Sequence, residues 1–111
     1  MNLAKYEIEV LRIMLKDHFS LKKIDKLSKS EIEWIEFSGP GYFLHIKNDI
    51  IPIKRKVIAE PIVLGNTENK FVGFVLFLEK GSLTLECHSW GDVNPSDSIR
   101  EKAMVVKVVK Q

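Results

Sequence analysis

Residues 71–90 constrain the fold of this chain more than any other stretch. Phe71 to Leu78 is apolar on both alternating faces, with Gly73 the one small residue. Such a run marks a central strand covered on both sides. Glu79-Lys80-Gly81-Ser82 supplies a turn, after which Leu83, Leu85 and Cys87 alternate with Thr84, Glu86, His88 and Trp90. A period of two on either side of a glycine turn predicts an antiparallel hairpin.

The rest of the chain divides around that hairpin. Residues 3–18 carry Leu3, Tyr6, Val10, Ile13 and Met14 at steps of three and four, widened by Leu11 and His18, with Asn2 as N-cap. This predicts an amphipathic helix, with Glu9 and Arg12 paired on its outer side. A second short helix over 21–27 places Leu21, Ile24 and Leu27 on one side and Lys22, Lys23, Lys26 and Lys29 in solvent. From Glu31 the pattern becomes strand and turn. Glu31–Ser38 and Tyr42–Lys47 flank Gly39-Pro40-Gly41 as a hairpin, and residues 55–63 form a further strand that Pro61 interrupts or confines to an edge. Residues 91–98 read as a loop, and Ala103 to Val109 as a last β-branched strand. Helices first and strands after, joined by short turns, predict one α+β domain over residues 1–111. Its N-terminal helices pack on an antiparallel sheet of about five or six strands.

Charge separates the candidate functions. The chain carries 17 basic and 15 acidic side chains among 111 residues, for a net charge of +2. By blocks, residues 1–30 sum to +3, 31–49 to −3, 50–60 to +2, 61–98 to −3 and 99–111 to +3. A nucleic-acid binder more often shows one continuous basic stripe, so that function is disfavoured, and the basic residues of 22–29 and 54–56 would have to carry it. No apolar run approaches the ~20 residues of a membrane span. One cysteine makes no internal disulfide, and the first residues show no basic patch followed by an apolar stretch. The expected compartment is the cytoplasm.

Catalytic chemistry finds little to use. Cys87 and His88 are adjacent on a strand and point to opposite faces, so they do not form a nucleophile–base pair. A thiol enzyme would need His18 or His45 brought in by the fold, and Cys87 reads as a small core residue. Three scattered histidines and one cysteine lack metal-ligand spacing, and Gly39-Pro40-Gly41 has lost an N–H that a phosphate cradle needs. No cofactor is expected. Glu86, His88 and Trp90 share one strand face, a composition suited to protein contact, unless a helix covers that face and makes Trp90 core.

Two runs resemble a known family. Glu36-Phe37-Ser38-Gly39-Pro40-Gly41-Tyr42-Phe43-Leu44-His45 is similar to a strand, glycine turn and aromatic strand found in small bacterial proteins. The run from Val72-Gly73-Phe74 through Leu83-Thr84-Leu85-Glu86 to Trp90-Gly91-Asp92 resembles their second half. These are the small α+β immunity proteins that accompany polymorphic toxins, including those of contact-dependent growth inhibition. The resemblance covers about residues 31–97 and carries no functional residue across, since Cys87-His88 departs from the glycine or aliphatic residues of the family pattern. It implies a protein that is not an enzyme and that binds a cognate toxin domain, commonly a nuclease, as a heterodimer. Acidic residues are then the natural contacts for a basic substrate groove. On that expectation the candidate contacts are Glu31, Glu33, Glu36, Glu79, Glu86, His88, Trp90 and Asp92.

Overall fold

The computed structural model describes residues 1–90 and 97–109. Helix α1, Lys5–Leu15, is shorter than the periodicity over 3–18 predicts. Asn2 is drawn into a bridge with Glu31, so Ala4 becomes the N-cap, and the Glu7 carboxylate accepts the Ala4 N–H at 2.6 Å. At the other end the N–H groups of His18 and Phe19 both turn back to the Leu15 carbonyl, and His18 is exposed rather than on the apolar stripe. Tyr6, Glu7, Val10, Leu11, Met14 and Leu15 form the buried side of α1. Arg12 lies 3.9 Å from Asp25 of the next helix, and the expected pair with Glu9 does not form.

Helix α2, Leu21–Ser28, is capped by Ser20, whose Oγ accepts the Lys23 N–H at 3.3 Å. Ile24 and Leu27 are buried, whereas Leu21, in the first turn, stands in solvent. The four lysines of the segment are exposed as predicted.

Seven strands follow: β1 Trp34–Ser38, β2 Gly41–Lys47, β3 Lys56–Ile58, β4 Val63–Thr67, β5 Lys70–Glu79, β6 Ser82–Ser89 and β7 Val105–Val108, with a 3-10 turn at Asp97–Glu101 before β7. All pairings are antiparallel, in the order β1-β2-β6-β5-β4-β7. The fold is α+β, as the order of patterns predicts. Strand β3 also pairs with β5, opposite Leu76–Leu78, while β4 pairs opposite Lys70–Gly73. Of residues 55–63 only Lys56–Ile58 and Val63, the first residue of β4, are strand, and Pro61 falls in the gap between them, the interruption expected of a residue with no N–H for the ladder. The β4–β5 hairpin escapes sequence reading because its two turn residues are Glu68 and Asn69, both at positive φ, rather than an Asn-Gly or Asp-Gly pair.

The helices cover one face of this sheet. Tyr42, Leu44, Ile46, Leu76, Leu78, Leu83, Leu85 and Cys87 pack under α1 and α2 in a single core. The opposite face carries no helix among the described residues. Strand β5 is central, yet among the described residues the helices cover one of its sides only, which corrects the expectation drawn from its apolar run. Both of its faces are apolar, but Phe71 is 43 % exposed. No helix among the described residues is long and apolar enough to cross a membrane.

Candidate functional site

Cross-strand partners in an antiparallel sheet share a face, so the register alone assembles the uncovered surface. Trp34 of β1 lies opposite His45 of β2, and His45 opposite Thr84 of β6. Glu36 lies opposite Phe43, and Phe43 opposite Glu86. Val75 and Phe77 of β5 stand opposite Glu86 and Thr84, and Gly73 opposite His88. The N–H of Trp90 bonds the Phe71 carbonyl at 2.8 Å, which places Trp90 beside Phe71 at the end of the hairpin. The result is an aromatic and aliphatic band bordered by carboxylates. Trp34, Phe71 and Trp90 are each 43–45 % exposed, an unusual state for large apolar side chains concentrated on one face.

Local contacts hold these side chains in place. The rings of Trp34 and His45 stack with centroids 4.8 Å apart and planes 4° from parallel. His45 Nδ1 sits 2.9 Å from Thr84 Oγ1, and its Nε2 lies 3.7 Å from Glu33 Oε1, while Lys47 Nζ lies 3.5 Å from Oε2 of the same carboxylate. Trp90 Nε1–H donates to His88 Nε2 at 3.3 Å. A neutral His88 that accepts there carries its proton on Nδ1, an atom buried with no hydrogen-bond partner among the described residues. Gly73 makes this arrangement possible. A Cβ at that position would come within 2.4 Å of Trp90 Nε1 and 2.8 Å of His88 Nε2.

Of the sequence-predicted contacts, Glu36, Glu86, His88 and Trp90 fall together on this face. Glu79 lies at its edge, opposite Ser82, where a shallow cavity is lined by His45, Phe77, Ser82 and Thr84. Glu33 reaches it through His45. Glu31 does not belong to it, being held beside Asn2, and Asp92 lies outside the described residues. The sequence reading missed Trp34 and Phe71. Trp34 stands two residues from Glu36, so strand period would have put both on one side. Phe71 was hidden by the uniform apolarity of its strand.

Two other constellations deserve a chemical reading. Cys87 is buried on the helix side, and burial, with Glu7 nearby, pushes its thiol up from 9.0 to about 12. A thiol in that state is protonated at neutral pH and is a poor nucleophile. The Glu33, His45 and Thr84 chain has the order of a carboxylate–imidazole–hydroxyl relay. Thr84, however, sits mid-strand between β2 and β5, where the ladder uses the backbone N–H groups that would otherwise stabilise an oxyanion.

A second charged centre was not foreseen. Glu7, fully buried, accepts from Arg100 Nε and Nη2 at 2.8 Å each and from Tyr42 Oη at 2.5 Å. Tyr42 spends its one proton on Glu7, so Tyr6 donates to Tyr42 in the bond that joins the two hydroxyls. Burial, and then the Glu7 charge, raises both phenols above their ordinary range. The signal available in sequence was a lone glutamate on an apolar stripe, between Leu3 and Val10.

The basic residues of the alternative reading occupy two places. Lys22, Lys23 and Lys26 project from α2, and Lys54, Arg55 and Lys56 line a cavity beside His18 and Phe19. No group of three or more His, Cys, Asp or Glu side chains among the described residues is placed to hold a metal ion. No protein-family model, curated protein or solved structure matches this chain.

Proposed function

We propose that this chain is an immunity protein of the polymorphic-toxin kind. It acts in the cytoplasm, binding a cognate toxin domain through the uncovered face of its sheet and blocking that domain's active site or substrate groove. The observation that carries the reading is the half-exposed set Trp34, Phe71 and Trp90, on one face with Glu36 and Glu86 and bordered by Glu33 and Glu79. Aromatic anchors held by a rigid sheet supply contact area at small entropic cost, and carboxylates around them select a basic partner. A nuclease groove, built to hold phosphates, has that charge. The resemblance of residues 36–45 and 72–92 to immunity proteins supports the same conclusion.

Inhibition on this scheme needs no chemistry from the chain itself. An interface of standard size, about 1,600 Å² in total, fits a domain of these dimensions. The experiment is calorimetric titration with the toxin domain encoded beside this chain, together with an assay of that toxin's nuclease activity. Tight one-to-one binding with loss of activity is expected. A toxin that stays active and unbound in excess of this chain overturns the reading.

A further inference from the structure

The cavity between the end of α1 and strand β3 belongs to no part of the sheet face. It has a volume of about 400 Å³ and is lined by His18, Phe19, Pro52, Lys54, Arg55, Lys56 and Leu78. Its composition is two-sided. Phe19, Pro52 and Leu78 form an apolar part, and three consecutive cations form the other. Lys54, Arg55 and Lys56 are exposed and make no ion pair among the described residues. Like charges gathered without counterions repel one another, and an anion relieves that repulsion.

The segment that presents these cations is anchored. Ile51 is buried, Ile50 N–H bonds Asn48 Oδ1 at 3.0 Å, and Lys80 N–H bonds the Ile53 carbonyl at 3.2 Å. Lys56 then enters the sheet opposite Leu78, on the side where Phe19 packs against the core. The backbone beneath the three cations is thus fixed on both sides of the triplet. The other wall, His18–Phe19, leads directly into the N-terminus of α2, whose first-turn N–H groups lack intrahelical partners and carry the positive end of the helix dipole.

We infer that this cavity is a binding site for a small phosphate ester bearing a flat apolar group, of which a mononucleotide is the representative. Arg55 and the two lysines hold the phosphate, Arg through its planar fork and Lys as point charges. Phe19 offers a surface on which the flat group stacks, with Leu78 and Pro52 behind it. The volume lies within the range of about 300–1,000 Å³ typical of small-ligand sites. The site stands apart from the proposed toxin-binding face, so either proposal can fail alone.

The test is a titration of the full chain, followed by amide chemical shifts, with ADP, AMP, inorganic phosphate, adenosine and a five-nucleotide RNA as separate probes. ADP and AMP are expected to move the amides of Phe19, Lys54–Lys56 and Leu78. Phosphate alone and adenosine alone should each bind about tenfold more weakly, because each keeps only half of the contacts. Arg55→Glu is expected to weaken ADP by about tenfold or more, with an affinity that falls as salt is added. Arg55 is solvent-exposed, so this variant tests the site without disturbing the core; Phe19→Ala is the companion for stacking. No shift at millimolar ADP, shifts confined to another surface, or an unaltered affinity in Arg55→Glu overturns the proposal. So does RNA binding without mononucleotide binding, which would identify an extended surface for a nucleic-acid backbone.

Discussion

Arg100 and Glu7, 93 residues apart, meet through two parallel hydrogen bonds of 2.8 Å in a site where the carboxylate has no contact with water. The pair fastens the segment after β6 to α1, and Arg100 Nη2 adds a bond to the Asn2 carbonyl at 3.1 Å. The hydrogen bond to Glu7 also raises the guanidinium above its ordinary value, so it is charged under all practical conditions.

Arg100→Ala is expected to destabilise the protein by about 3–5 kcal/mol, because it strands a buried carboxylate. Urea unfolding of the variant measures this. Arg100→Ala combined with Glu7→Gln should recover part of the loss, since the stranded charge is gone. A single-variant cost below about 1 kcal/mol, the range of exposed pairs, would show that water reaches Glu7.

The raised thiol and phenols set the alkaline behaviour. In the native state Cys87 keeps its proton up to about pH 12, whereas in the unfolded chain it loses it near 9.0. Between those values the folded form binds more protons, so stability is complete below pH 9 and falls as pH rises. The slope from this one group is about 1.4 kcal/mol per pH unit at most. Tyr6 and Tyr42 act in the same direction. Denaturation midpoints collected from pH 7 to 11 should show this fall, with a shallower slope in Cys87→Ala. At pH 8 the native thiol should resist a disulfide reagent that labels the unfolded chain within the mixing time.

Trp34 and Trp90 should both be open to acrylamide quenching in the free protein, at 43 % and 45 % exposure, and shielded in the complex with the toxin domain. Trp90→Ala and Trp34→Ala should each weaken that complex by about 2 kcal/mol or more, as central anchors do, while changing stability by much less. Quenching that is unchanged on binding would move the interface elsewhere.

Glycine substitutions separate surface from scaffold. In Gly73→Val the obstructing atoms are the ends of the Trp90 and His88 side chains, so the hairpin is retained and Trp90 is displaced. The expected result is lost partner binding with a stability cost of about 1–3 kcal/mol. At Gly41 the added Cβ would lie 1.8 Å from the Cys87 carbonyl oxygen, a backbone atom that cannot step aside. Gly41→Ala should therefore disrupt the β2–β6 pairing and cost more than Gly73→Val. Thermal melts of the two variants decide the order.

Much of the fold was readable because it is local. Alternation through Leu83, Leu85 and Cys87, the turn at Lys80-Gly81 and the spacing of Ile24 and Leu27 are signals confined to a few residues, and each element formed as they indicate. What escaped was set by distant neighbours. Nothing near Phe71 says which side of its strand will lack a helix, because that depends on where α1 and α2 come to rest. Val63–Thr67 became a strand because β5 and β7 offer edges on either side. The candidate face was half legible: Glu86, His88 and Trp90 follow from period two. Trp34 and Phe71 join them only through cross-strand register. Glu7 and Arg100 share no pattern at all, since their pairing is a product of the finished topology.

The clasp between Glu7 and Arg100 also has a bearing on synthesis. Translation delivers Glu7 and the helix around it first, then every strand through β6, and only afterwards the arginine that the carboxylate requires. A nascent chain ending before residue 100 can assemble the β5–β6 hairpin and its neighbours, yet must bury an anion without its cation or leave α1 undocked. The mature arrangement of α1 over the sheet is thus withheld from incomplete products until Arg100 is in place.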